Sequence, residues 1–156
     1  MSYTINKKPV VLFLEDHPDA AELLCRELAD VATVRSASSG SDVRPGEKKG
    51  EVIVIQRRMD EDGEKTEEEY TIEPDFYIFD LRMPGETGIQ IWERLGKPEK
   101  YAIFTVWGND DYWMGEIQKC GMESWRLVSK DSGSLGEAVQ TIKRIMVEDK
   151  VIRGAR

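Results

Sequence analysis

Glu15, Asp16, Asp80, Thr105 and Lys130 are the residues whose types and settings point to chemistry in this 156-residue chain. Each closes a short apolar run. Val10-Val11-Leu12-Phe13-Leu14 runs into Glu15-Asp16, Phe76-Tyr77-Ile78-Phe79 into Asp80, Ala102-Ile103-Phe104 into Thr105, and Trp125-Arg126-Leu127-Val128-Ser129 into Lys130. Carboxylates are hard oxygen ligands for a cation such as Mg²⁺, and a carboxylate can also accept a phosphoryl group as an acyl phosphate. An ammonium and a hydroxyl can neutralise and hydrogen-bond the phosphoryl oxygens. Together the set could handle phosphoryl transfer, which needs positioning and charge neutralisation above all.

The elements that must position these residues follow from the apolar runs. Continuous apolar segments are how strands buried on both faces of a parallel sheet read, and parallel strands deliver their final side chains to one edge. Helices fill the intervals. Pro18 suits a first helical turn, and Ala21, Leu24, Cys25 and Leu28 repeat at the spacing of one buried face. A short strand is predicted over Thr33-Val34-Arg35-Ser36-Ala37. Gly88 to Leu95 carries Ile91, Trp92 and Leu95 before Gly96 and Pro98 stop the helix. Asn109 is the predicted cap of the next helix, with Asp110 and Asp111 in its first turn, Trp113, Ile117 and Cys120 inward, and Gly121 at its end. Ser134 and Glu137 open the last helix, which buries Leu135, Val139, Ile142 and Met146. The βα alternation predicts an α/β fold with a doubly wound parallel sheet.

One stretch breaks the alternation. Ser39 to Gly46 reads as a loop where a helix would be due. Val52-Ile53-Val54-Ile55 and Glu69-Tyr70-Thr71-Ile72 then flank Asp62-Gly63, a two-residue hairpin signal. With that turn Asp60 would face Lys65, Arg58 Glu67, Arg57 Glu68, Ile55 Tyr70 and Ile53 Ile72. The hairpin would present an acidic tip and rest its base on the body through Ile53, Ile55, Tyr70 and Ile72, and its open edge could pair with another chain, including a second copy.

A chain that is 40% hydrophobic can build one full domain. We expect it over residues 9–150, with the insertion at about 44–73 and tails at 1–8 and 151–156. Thirty acids against 22 Lys and Arg give a net charge of -8, which disfavours a nucleic-acid-binding surface. No apolar run approaches the roughly 18 residues that span a membrane, and the polar start lacks a signal-peptide core. A cytoplasmic protein is expected. Cys25 and Cys120 have neither metal-ligand nor disulfide spacing and read as buried thiols. His17 reads as a helix-start residue, since a hard cation prefers oxygen.

Leu14-Glu15-Asp16, Asp80-Leu81-Arg82-Met83-Pro84-Gly85 with Gly88, Phe104-Thr105, and Ser129-Lys130 together resemble the receiver domain of bacterial response regulators. The resemblance implies a flavodoxin-like fold of five parallel strands, here with a β-hairpin in place of the second helix. It implies Asp80 as phosphoacceptor, and Glu15, Asp16, Asp80 and the backbone carbonyl of Arg82 as ligands of Mg²⁺. Lys130 and Thr105 would contact the phosphoryl oxygens. The implied partners are a sensor histidine kinase or phosphotransfer protein and a downstream protein, with no reaction catalysed beyond the domain's own phosphorylation and dephosphorylation. DNA binding is not the expected output. A degenerate receiver, acting without phosphorylation, is the alternative. A dehalogenase-type phosphatase is excluded because Arg82 stands where that chemistry needs a second Asp. The sequence departs from the family at Glu15 (commonly Asp), at Asp131 (commonly Pro), at Leu127 (often aromatic) and at the bulky Trp107.

Overall fold

The computed structural model describes residues 7–131 and 133–154. Residues 1–6 and 155–156 of the two predicted tails lie outside them. The elements are, in order, β1 (Val10–Leu14), α1 (Pro18–Leu28), β2 (Thr33–Ala37), β3 (Val43–Pro45), β4 (Val52–Met59), β5 (Lys65–Ile72), β6 (Phe76–Phe79), α2 (Gly88–Arg94), β7 (Tyr101–Thr105), α3 (Asp111–Cys120), β8 (Leu127–Ser129) and α4 (Leu135–Glu148). Five of the strands form one parallel sheet in the order β2-β1-β6-β7-β8. That is the doubly wound arrangement predicted from the alternation of apolar runs and amphipathic segments.

Each central strand is buried on both sides because successive residues point to opposite faces. Val11, Phe13, Ile78 and Phe104 meet α1 and α4 through Leu24, Leu28, Val139, Ile142 and Met146. On the other face, Leu12, Leu14, Phe79 and Ile103 meet Ile89, Ile91 and Trp92 of α2 and Ile117 of α3. Cys25 and Cys120 are free and half-buried, and burial pushes both thiols up from their ordinary pKa. Val151 and Ile152, assigned above to a tail, instead turn back: both N–H groups reach the Met146 carbonyl, and both side chains pack on the core.

Local chemistry explains the helix ends. Thr87 caps α2 with a complete capping box to Gln90. Asp110, rather than Asn109, caps α3 by accepting the Trp113 N–H, because it is one residue closer to the donors it must reach. Gly121 closes α3 in the left-handed conformation, at φ 89. Ser134 caps α4. Trp125 and Arg126 do not extend the last strand. They lie in a 3-10 turn (Ser124–Arg126), leaving β8 only three residues long and Trp125 48% exposed.

In place of a second helix stands a three-stranded antiparallel sheet in the order β3-β4-β5. The predicted loop therefore contains a strand of its own, β3, preceded by a 3-10 turn at Gly40–Asp42. The hairpin register differs by one residue from the predicted one. Val52 faces Ile72, Val54 faces Tyr70, Arg57 faces Glu67 and Met59 faces Lys65. The cause is Asp60, whose Oδ1 accepts the N–H groups of Asp62 and Glu64, while the Gly63 N–H reaches the Asp60 carbonyl. These bonds start the turn one residue early, and Gly63, at φ 80, takes the left-handed bulge position of a three-residue loop. Because strands have a period of two, this slip exchanges the faces. Val52 and Val54, not Ile53 and Ile55, enter the core with Val43, while Tyr70 and Ile72 pack beside them. Burying each of these valines contributes about 1.5–3 kcal/mol.

Candidate functional site

Four strand ends meet at one edge of the main sheet. Lys130, just past β8, places Nζ 2.8 Å from Asp80 Oδ2 and 2.5 Å from Glu15 Oε2. Its backbone N–H is held by the Thr105 carbonyl at 2.9 Å, which sets the height at which the lysine leaves the sheet. Glu15 is almost wholly buried at 1% exposure and Asp80 is buried at 6%. Burial raises the Glu15 carboxyl above its ordinary pKa and outweighs the opposing hydrogen bond and charge of Lys130. Burial alone would lower the Lys130 pKa, but its bonds to Asp80 and Glu15 prevail and hold it above the usual lysine value. The ammonium therefore stays charged.

Asp16, Asp80 and Lys130 line an open cleft of about 840 Å³, together with His17, Arg82, Met83, Pro84, Val106 and Trp107. Glu15 and Thr105 are buried and do not line the cleft; Glu15 is joined to it through Lys130. Thr105 is fully buried, and its Oγ1 accepts the Trp107 N–H at 3.3 Å. The hydroxyl hydrogen is left to donate elsewhere. The Arg82 guanidinium lies over the Trp107 ring, 5.4 Å from its centroid, so the two side chains close one wall of the cleft.

Carboxylate oxygens of Glu15 and Asp16 and a ring nitrogen of His17 lie within 4.8 Å of one another. Asp80 stands just outside that group, linked to Glu15 through Lys130. Two acids with a third one lysine away make an oxygen-rich set that fits a hard cation such as Mg²⁺. The imidazole is the poorer donor for it. His17 instead enters α1 as its N-cap residue, with its backbone N–H on Glu15 Oε1 at 3.2 Å.

The loop after Asp80 is fixed by backbone contacts. The Arg82 N–H points to Asp80 Oδ1 at 3.4 Å, the Gly88 N–H bonds the Leu81 carbonyl at 2.9 Å, and Arg82 bridges Thr87. Gly88 permits this closure, since a Cβ there would lie 2.0 Å from the Asp80 carbonyl oxygen. Sequence reasoning missed the next link. Arg94 holds both Glu86 oxygens, at 2.8 and 2.9 Å, and reaches the carbonyls of Val43 at 2.8 Å and Gly40 at 2.6 Å. One guanidinium thus ties the loop after Asp80 to the start of the inserted sheet. The acidic Glu86 eight residues before Arg94 was the available signal, but nothing in the sequence pairs Arg94 with carbonyls some fifty residues away.

No protein-family model and no curated protein matches the sequence. Solved structures do match. The BeF3-activated DrrB receiver domain aligns at TM-score 0.59 and 15% identity, over 90% of this chain and 98% of that one; DrrB is from Thermotoga maritima. The receiver domain of Francisella response regulator 1452 aligns at 0.57 and 14%, over 92% and 98%. The chemotaxis response regulator CheY4 of Vibrio cholerae aligns at 0.56 and 15%, over 89% and 99%. The chain has the fold of response-regulator receiver domains, the flavodoxin-like five-stranded sheet with flanking helices, and it carries a small antiparallel sheet where a second helix is due. No helix among the described residues is long and apolar enough to cross a membrane.

Proposed function

We propose that this protein is a phosphoacceptor receiver of two-component signalling, phosphorylated on Asp80 and signalling through contacts with another protein. The observation that carries this reading is the pair of bonds from Lys130 Nζ to Asp80 and Glu15 at the mouth of a cleft lined by Asp16. A carboxylate oxygen of Asp80 attacks the phosphorus of a phosphohistidine on a sensor kinase or phosphotransfer protein. The new P–O bond forms as the P–N bond breaks, and the departing imidazole takes up a proton. Glu15, Asp16, Asp80 and the Arg82 carbonyl are the ligands we assign to Mg²⁺, which when bound supplies neutralising charge to the phosphoryl oxygens. Lys130 releases one carboxylate oxygen and pairs with a phosphoryl oxygen instead. The Thr105 hydroxyl donates to another. No substrate other than the domain's own phosphoryl group is converted, and the site of action is the cytoplasm.

Acetyl phosphate with Mg²⁺ should add the mass of one phosphoryl group to the wild type and none to Asp80→Asn. Trp107, on the cleft wall, should report Mg²⁺ by fluorescence, with weaker binding in Asp16→Asn. A second reading, an interaction module independent of phosphorylation, is favoured by one feature: Lys130 already occupies an oxygen of Glu15 that the metal would need. Absence of both Mg²⁺ binding and phosphoryl transfer would leave that second reading standing.

A further inference from the structure

The inserted sheet ends in an open edge. β5 has eight residues, of which only Tyr70 and Ile72 are partly covered. The Asp60 N–H bonds the Glu64 carbonyl. Hydrogen-bonded pairs alternate along an antiparallel ladder, so residues 66, 68, 70 and 72 turn their backbone groups toward β4. On the other side of β4, the Gly46 N–H bonds the Glu51 carbonyl, which by the same alternation turns Ile53 toward β3 and leaves its partner Thr71 facing away. The N–H and C=O groups of Lys65, Glu67, Glu69 and Thr71 point outward from the sheet. No proline or bulge interrupts β5, although those are common ways of closing an edge.

Charge selects what this edge can take. Residues 52–72 hold seven acids and three cations. Two of the acids on β5 are already paired, Glu67 with Arg57 and Glu69 with Arg44. Glu68 lies between them on the opposite face of the strand, across from Gln56. A second copy adding antiparallel to β5 in the register centred on Glu68 would set Glu67, Glu68 and Glu69 against the same three residues of its twin, and like charges directly opposite destabilise a strand pair. The acidic centre of the edge therefore disfavours self-pairing in that register and favours strands of the other sign.

We propose that β5 is a docking edge for an extended, lysine- or arginine-bearing segment of another protein, which adds to the small sheet as a fourth strand. Main-chain bonds to Lys65, Glu67, Glu69 and Thr71 supply affinity, and a cation opposite Glu68 supplies selectivity. The interaction needs no phosphoryl group on Asp80, so it stands or falls separately from the function proposed above.

The test uses the whole protein and two eight-residue peptides, one alternating valine with lysine and one alternating valine with glutamate. The lysine peptide should bind at least about tenfold more tightly, and about 0.5 M salt should erase most of that preference. On binding, amide exchange should slow at Glu67, Glu69 and Thr71 but not at residues whose N–H already bonds β4. Glu67→Pro removes an outward donor without touching the β4 ladder and should abolish binding, while Glu68→Lys should invert the peptide preference. Asp80→Asn should bind as the wild type does. Failure of both peptides to bind, equal affinity for both, or binding that survives Glu67→Pro overturns the proposal. So does a concentration-dependent dimer with the same amides protected in the absence of peptide.

Discussion

Gly88 offers a test in which two physical effects predict opposite signs. As the first residue of α2, a glycine costs up to about 1 kcal/mol relative to alanine on intrinsic helix preference. On that ground alone Gly88→Ala should stabilise. The added methyl, however, would sit 2.0 Å from the Asp80 carbonyl oxygen, 2.9 Å from its carbon and 3.2 Å from the Leu81 Cα. All three are backbone atoms of a strand end and cannot swing aside. Relief requires α2 to back away from β6, and overpacking of this kind costs about 1–3 kcal/mol, occasionally more. The steric term exceeds the propensity term, so a net loss of about 1–2 kcal/mol is expected, with the melting temperature falling by about 2–4 °C per kcal/mol. Urea unfolding measures the loss, and acetyl phosphate labelling measures the accompanying displacement of Asp80. Gly115→Ala is the internal control: it lies within α3 with nothing within 4 Å of the added atom, and should stabilise by about 0.5–1 kcal/mol. If Gly88→Ala is as stable as Gly115→Ala, the packing of α2 onto the strand that ends at Asp80 is not as described.

Arg126 is buried, with its guanidinium on both Asp149 oxygens, on the Tyr101 carbonyl and between the rings of Tyr101 and Trp125. Arg126→Met leaves Asp149 buried and unpaired and should cost about 3–5 kcal/mol in urea unfolding; a cost below 1 would show the cluster to be incidental. Phosphorylated Asp80 should be long-lived because Arg82 and Trp107 stack across one wall of the cleft, so Arg82→Ala and Trp107→Ala should each speed dephosphorylation, and unchanged rates in both would dismiss the shielding. Glu123 is held below its ordinary carboxylate pKa by hydrogen bonds from the Trp125 indole and the Arg126 guanidinium, and Asp30 below its own by a hydrogen bond from Lys143. A depressed folded-state pKa contributes stability that is present above the unfolded value and lost as pH falls below it. Stability measured from about pH 5 downward should therefore decline less steeply in Glu123→Gln and Asp30→Asn than in the wild type, and identical slopes would contradict the assignment.

Much of the fold and of the candidate site is legible in the sequence. The strands that carry Glu15, Asp80, Thr105 and Lys130 declare themselves because a strand buried on both faces is apolar throughout, and the parallel topology then requires their ends to converge. What the sequence did not disclose depends on competition between near-equal local choices or on distant partners. Asp62-Gly63 looks like a two-residue turn until the Asp60 carboxylate is seen to start the turn earlier. Arg44-Pro45 reads as loop because a three-residue strand is too short to show alternation. Trp125 and Arg126 read as strand because they precede an apolar segment, whereas Arg126 is drawn into a turn by Asp149, 23 residues away. Lys130 and Glu15 are 115 residues apart, and their bond was accessible only through the fold.

The inserted sheet and the main domain have a common interior, since Val43, Val52 and Val54 lie in the same cluster as Leu12, Leu14 and Phe79. That makes the insertion unequal along its length as a place for change. Its base is not a removable loop: excising residues 43–72 would uncover the side of the sheet that carries the Asp80 strand. Its far end is open to solvent, with every residue from Arg57 to Glu69 exposed, and Arg57 and Glu69 tie it back to Asp42 and Arg44. Foreign sequence can therefore be grafted at the turn of Glu61 to Gly63, lengthening or re-lettering the arm for new recognition, while the five-stranded sheet beneath is left to fold as before.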